Sequence, residues 1–241
     1  MAVAAELQWD LLPNRADELG DYQLAGVLEP AYEIAGDVFD YAMYGDDVWA
    51  YSFDGMGHGL DATLTSVLVL SAVRNSRREG GSLVEQMQLA NEILWDQHGG
   101  DRFVTGAACR LGPDGTVEVV NAGHEPLRLV ADGRVNRLDL LVDLPLGVQH
   151  STTYRSQVAT VLDAGDGVVM FSDGPASQKA NGVAYGDDHL DRVLEASWSD
   201  VPFETGHDVI DDVLGHLDGA RVEDDITAVV VRRAAAQRAG S

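Results

Sequence analysis

The feature that most constrains this chain is a change in the period of its apolar residues. Residues 60–79, LDATLTSVLVLSAVRNSRRE, hold neither Pro nor Gly, and apolar residues recur at 60, 64, 67, 68 and 70–73. That spacing predicts a long, mostly buried helix. Gly80 and Gly81 stop it, and Ser82 with Glu85 three residues on forms a capping-box candidate for a second helix over 83–98. The period then shortens. FVTGAACRL, TVEVVNAG, PLRLVA and RVNRL are brief runs parted by PDG, GHE and ADG turns, the pattern of an antiparallel meander. Upstream, residues 24–54 read as two or three strands. After a loop at 144–147, strands are expected at 158–162 and 167–171, helices at 187–196 and 205–217, and a last strand at 225–233. Helices thus fall in two blocks instead of following every strand. That order disfavours a doubly wound parallel sheet and predicts an α+β chain with two antiparallel sheets and helices outside them.

No Pro- or Ser-rich linker divides the 241 residues, so one domain is expected over 21–233. Residues 1–20 are read as a segment leading into it and 234–241 as a disordered tail. The single cysteine, Cys109, excludes an intrachain disulfide, and its alternating surroundings make it a small core residue. No 18-residue apolar stretch is present, and the N-terminus lacks the basic region of a signal peptide, so a cytoplasmic protein is expected. Sixteen basic residues against 40 acidic ones give a formal charge of -24. Such a chain repels nucleic acid and anionic membrane, and neither is expected as a partner. It also repels phosphorylated molecules at long range, so handling them requires local positive charge, which bound cations supply.

Four acidic motifs stand at strand ends beside glycine: AGDVFD (35–40), DGMGHG (54–59), SDG (172–174) and the DD pair at 224–225. Asp37, Asp54, Asp173 and Asp224 are far apart in sequence, yet one sheet rim could collect them. Carboxylate and carbonyl oxygens are what hard cations such as Mg²⁺ and Mn²⁺ take as ligands. Taken singly, each motif is more simply a turn, because Asp-Gly is a common turn dipeptide and recurs here at 114–115, 132–133, 166–167 and 218–219.

Taken in order, the motifs resemble those of the SpoIIE/RsbU-like bacterial branch of the PP2C (PPM) metal-dependent protein phosphatases. LLPNRADELGDYQLAGVLEPAYEIAGDVFD is similar to that family's opening segment, DGMGHG to its second motif, and NAGHEPLRL (121–129) to its Asn-Ala-Gly-His-x-Pro stretch. LPLGV (144–148), FSDG (171–174) and DDITAVVV (224–231) complete a resemblance that covers about residues 6–232. It implies an αββα sandwich, in agreement with the element order. It implies two divalent cations, Mn²⁺ or Mg²⁺, with Asp37 on one, Asp54 bridging both, the Gly55 carbonyl on one, and Asp173 with Asp224 on the other. Asp225 stays open as an exchange for Asp224. The implied reaction is attack of a metal-bridging hydroxide on a phosphoserine or phosphothreonine, with no covalent intermediate. The implied substrate is a regulatory protein, in this branch usually a STAS-domain anti-sigma factor antagonist. A homodimer, and control of the metal site by a partner acting on helices 60–79 and 83–98, are further implications.

The chain also departs from the family pattern. Ala35 replaces the first glycine of the Gly-Gly-Asp motif, no arginine adjoins Asp37 as a phosphate clamp, and PASQKANG (175–182) differs from the usual sequence after SDG. His58 is read as supporting the turn into the helix instead of acting as general acid, His124 as structural, and Lys179, the sole lysine, as a solvated loop residue. Two other functions compete: a non-catalytic binding module on the same fold, and a metal-dependent hydrolase of small phosphoesters. A Ca²⁺-binding protein is disfavoured by the lack of a D-x-D-x-D-G loop.

Overall fold

The computed structural model describes residues 8–234. The expectation for the tail therefore falls, except for Ala234, outside the described residues. Two antiparallel sheets form the body. One contains β1 (Ala16–Leu19), β2 (Tyr22–Glu29), β7 (Arg128–Ala131), β8 (Arg134–Arg137), β11 (Gly167–Phe171) and β14 (Ile226–Arg233) in the order β1-β2-β14-β11-β7-β8. The other contains β3 (Val38–Tyr44), β4 (Asp47–Gly55), β5 (Val104–Leu111), β6 (Thr116–Ala122) and β10 (Gln157–Val161) in the order β10-β6-β5-β4-β3. A short strand, β9 (Val142–Asp143), adds to β6 in parallel.

Helices α1 (Leu60–Arg78) and α2 (Leu83–His98) pack together over the second sheet. Ser82 accepts from the Glu85 amide while the Glu85 carboxylate accepts from the Ser82 amide, so α2 begins with the expected capping box. After β11 come a single turn, α3 (Gly174–Ser177), and a hairpin of β12 (Lys179–Ala180) and β13 (Val183–Ala184). Helices α4 (Asp187–Ser197) and α5 (Pro202–Leu217) cover the outer face of the first sheet. The layers are thus helix, sheet, sheet, helix, the αββα sandwich expected.

Strand periodicity builds the two cores. Along β14, Val229 and Val231 enter the core between the sheets, while Ile226, Ala228 and Val230 enter the core under α4 and α5. On β11, Val168 and Met170 face the first core, Val169 and Phe171 the second. Central strands buried on both faces read as continuous apolar runs, as here. Cys109 on β5 meets Met170 on β11 across the sheet interface, Sγ to Sδ 3.8 Å, and is the small core residue expected.

Several elements fall where the sequence pattern was silent. β1 lies within the segment read as leading into the domain and pairs along its length with β2. The 175–182 loop supplies part of α3 and all of β12. Pro202 starts α5 three residues earlier than the periodicity indicated, as suits proline in a first turn.

Candidate active site

The antiparallel registers bring the acidic motifs to one rim. Val38 pairs with Phe53, so Asp37 and Asp54 lie at the same end of the β3–β4 ladder. Phe171 pairs with Ala228, and Ile226 with Glu29, so Asp173 and the 224–225 pair lie at the matching end of the other sheet. Asp37, Asp173 and Asp224 stand just outside strands, while Asp54 is the penultimate residue of β4 and still pairs with Thr105.

Asp37 is buried and accepts a short hydrogen bond from the Thr227 hydroxyl. Asp54 follows Phe53 at the end of β4, and Gly55 closes that strand against α1. A Cβ at Gly55 would stand 2.3 Å from Ser66 Oγ and 2.8 Å from the Ala62 carbonyl, so only glycine lets the backbone run this close to the helix. Asp173 occupies the N-cap of α3 without capping it, which leaves its carboxylate free. The Gly174 position is tighter still: a Cβ there would stand 1.8 Å from the Asp225 carbonyl.

The adjacent aspartates 224 and 225 divide into two roles. Asp225 is buried, and its carboxylate accepts from the amides of Ala31 (2.8 Å), Gly36 (2.6 Å) and Asp37 (3.4 Å). It shapes the β2–β3 loop. Asp224 is exposed and accepts only a local bond from the Asp225 amide, 2.9 Å. The carboxylate free to face Asp54 and Asp173 is that of Asp224.

The four carboxylates feel one another. Burial, then the charges of Asp54 and Asp225, raise the Asp37 carboxyl well above the usual carboxylate range. Burial, then the charges of Asp173 and Asp224, push Asp54 up to about 7. Asp173 and Asp224 are also raised, each by burial first and next by a neighbouring aspartate. Such a set resists ionising until positive charge arrives. Among the described residues no three His, Cys, Asp or Glu side chains are gathered tightly enough to close around one ion. That geometry suits cations that keep several waters and take few protein oxygens, as Mg²⁺ does, better than a closed protein cage. The donor set is all hard oxygen and fits Mn²⁺ or Mg²⁺.

Polar residues that the sequence motifs did not single out brace this rim. Gln8 brackets the Asp37 loop: its Nε2 donates to the carbonyls of Ala35 (2.9 Å) and Asp37 (3.2 Å), and its Oε1 accepts from the Ala35 amide (3.0 Å). The Thr63 hydroxyl donates to the Ala35 carbonyl at 2.6 Å, which ties α1 to the same loop. Gln178, buried within the divergent 175–182 stretch, donates to the Asp224 carbonyl (2.8 Å) and accepts from the Glu223 amide (3.0 Å). Thr227 had a visible signal, a lone hydroxyl in an apolar strand, whereas Gln8 and Gln178 had none.

The histidines stand away from the carboxylates' own hydrogen bonds. His58 is exposed and stacks on Tyr32, ring centroids 4.6 Å apart. His124 is buried in the turn after β6, where its amide donates to Asn121 Oδ1 and its carbonyl accepts from Asn121 Nδ2. Burial, then Arg128, push its imidazole down to about 4. Lys179 is an exposed residue of β12.

The family model of Stage II sporulation protein E matches residues 44–234 of the chain. The chain belongs to the SpoIIE family. The observed layers are those of the PP2C-type phosphatase fold. Protein IcfG of Synechocystis is 24% identical over 261 residues, covering 95% of this chain and 40% of its own length. This chain therefore spans well under half of that relative. Among solved structures, the RsbU and RsbW domains of Rv1364c from Mycobacterium tuberculosis superpose with a TM-score of 0.78 at 23% identity, over 90% of this chain and 61% of that one. The SiaA-PP2C domain of Pseudomonas aeruginosa superposes with a TM-score of 0.82 at 18% identity, over 95% of this chain and 94% of that one. At these identities the structural likenesses carry the fold.

Proposed function

We propose that this SpoIIE-family domain is a metal-dependent protein serine/threonine phosphatase whose site is the rim formed by Asp37, Asp54, Gly55, Asp173 and Asp224. The observation that carries the proposal is the convergence of four carboxylates from both sheets, each raised by burial and by its neighbours, with no cation paired to them among the described residues. Two divalent cations, Mn²⁺ or Mg²⁺, would supply there the Lewis acidity that lowers the pKa of water and neutralises phosphoryl oxygens. Asp54 would be shared between the two cations, and Asp37, the Gly55 carbonyl, Asp173 and Asp224 would supply the remaining protein oxygens. Asp225 holds the Asp37 loop and takes no ligand role, because its oxygens are engaged by backbone amides. Thr227 and Ser172 orient the carboxylate and backbone of the rim: the Thr227 hydroxyl bonds Asp37, and Ser172 Oγ donates to the Asp225 carbonyl at 3.3 Å.

The substrate we infer is a phosphoserine or phosphothreonine on a STAS-type anti-sigma factor antagonist. Its support is the motif resemblance and the likeness to an RsbU domain that shares a chain with an RsbW domain. Met56, Leu60 and Leu64 are exposed apolar residues on the turn after Gly55 and on the first turns of α1. They form a face through which a partner could act on the metal rim, in keeping with the regulatory role inferred for α1 and α2.

The test is hydrolysis of p-nitrophenyl phosphate with Mn²⁺, with Mg²⁺ and with EDTA, for the wild type beside Asp54→Asn and Asp173→Asn. Metal-dependent turnover lost in both variants supports the phosphatase. No turnover and no calorimetric metal binding would sink it in favour of a binding module. A panel of phosphopeptides against nucleotides and sugar phosphates separates a protein phosphatase from a hydrolase of small phosphoesters.

A further inference from the structure

Arg221 lies three residues before Asp224, in the segment that leads into β14. Its guanidinium carbon stands over the Tyr32 ring, 4.6 Å from the centroid. Tyr32 also stacks on His58, ring centroids 4.6 Å apart with the planes 20° apart. His58 follows Asp54 by four residues, on the turn between β4 and α1. Tyr32 is itself fixed relative to the rim, because the amide of the preceding Ala31 donates to Asp225 Oδ1 at 2.8 Å. The three stacked residues therefore come from the segments that carry Asp37, Asp54 and Asp224.

What distinguishes Arg221 is its place, at the entry to the Asp224 segment and laid on an aromatic ring. Among the described residues Arg221 makes no ion pair. Arg102 and buried Arg128, by contrast, are engaged by carboxylates, Arg102 by Asp61 at 2.8 Å and Arg128 by Asp187 and Asp191. Stacking holds the planar guanidinium while leaving its edge donors free, the geometry in which arginine takes phosphoryl oxygens in pairs. The charge problem posed by the composition points the same way. A phosphoester approaching so acidic a molecule needs local positive charge, and a guanidinium at the rim would add to what bound cations supply.

We propose that Arg221, laid on Tyr32, is a substrate-binding residue that pairs with a phosphoryl oxygen of the incoming phosphoester. This rests on the phosphatase reading of the neighbouring rim. It assigns a phosphate contact to a position remote in sequence from Asp37, where no arginine is available.

The experiment uses the full chain with Mn²⁺ and compares the wild type with Arg221→Ala, Arg221→Lys and Tyr32→Leu. It measures KM for p-nitrophenyl phosphate, the inhibition constant of inorganic phosphate, and Mn²⁺ affinity by calorimetry. Arg221→Ala is expected to raise both KM and the phosphate inhibition constant about tenfold. Arg221→Lys should recover part of that and Tyr32→Leu should lose about threefold, all with Mn²⁺ affinity unchanged. Unchanged KM and phosphate inhibition in Arg221→Ala, with an active wild type, would overturn the proposal and leave the phosphatase standing. A loss that follows weakened Mn²⁺ binding would overturn it too, because Arg221 would then be structural. Should the wild type show neither turnover nor Mn²⁺ binding, the phosphatase reading fails; Mn²⁺ binding without turnover means that an activator is missing. Calorimetric titration of inorganic phosphate into the Mn²⁺-loaded proteins then still decides Arg221: weaker binding in Arg221→Ala supports it, and equal binding refutes it.

Discussion

Asp54 is the residue at which fold and proposed chemistry conflict most directly. Its carboxyl is raised to about 7, by burial first and then by Asp173 and Asp224. An unfolded chain ionises the same group near 3.8. Above that value the unfolded state gives up its proton more readily than the folded one, so without cations the charge opposes folding at neutral pH. Asp54→Asn should therefore stabilise the metal-free protein at pH 7.5 by about 1–3 kcal/mol. The same change should remove the rise in melting temperature that Mn²⁺ gives the wild type and cut turnover by more than about 100-fold. Thermal melts with and without Mn²⁺ read the first two effects; a metal-free variant less stable than the wild type would refute the charge argument. His124 carries the opposite sign of pH dependence. Its folded pKa is pushed down to about 4 from 6.5, so below 6.5 the unfolded state takes a proton that the folded state refuses. Stability falls as the pH drops through that window. Between pH 7.0 and 4.5, His124→Asn should lose about 2–3 kcal/mol less than the wild type in urea titrations, since the carboxylates are common to both proteins.

At the scale of elements, the rim is a set of loop ends held by neighbouring loops. Gly174 passes so near the Asp225 carbonyl that a methyl group cannot enter without parting α3 from the start of β14. Those two segments carry Asp173 and Asp224. Gly174→Ala is expected to cost about 1–3 kcal/mol, and to weaken Mn²⁺ binding more than its stability loss explains, measured by calorimetry on protein shown to be folded. The first turns of α1 should behave in the opposite way. Leu64 is 58% exposed, so Leu64→Glu should alter stability by no more than about 0.5 kcal/mol. It should retain basal hydrolysis of p-nitrophenyl phosphate and lose stimulation by a cognate partner; stimulation at the wild-type level would show that this face is not used. These contrasts also explain what the sequence revealed. α1 and α2 were legible because their periodicity, glycine stop and capping box agree with their tertiary places. The β12–β13 hairpin was not, since two-residue strands leave no periodic trace. The Asp224/Asp225 choice was equally hidden, because it depends on which carboxylate meets amides about 190 residues away.

For the whole molecule, order was legible and proximity was not. Two blocks of helices between runs of strands were enough to reach four layers, but the pairing of β14 between β2 and β11 joins the two ends of the chain through long-range register alone. That pairing is what sets Asp224 beside Asp173 and within reach of Asp54. The net charge of -24 then acts on everything that approaches the assembled rim. Ionic strength near 0.15 M limits such fields to about 8 Å. At lower salt, repulsion slows the encounter with any acidic phosphoprotein. The value of kcat/KM for a phosphoprotein of net negative charge should therefore rise about three- to tenfold between 20 and 200 mM NaCl with Mn²⁺ held saturating. For p-nitrophenyl phosphate, small and driven to the site by high concentration, the change should stay within about twofold. A fall with salt for the acidic phosphoprotein would mean that a positive surface steers its approach, and among the described residues the exposed Arg221 edge of the rim would be the first place to look for it.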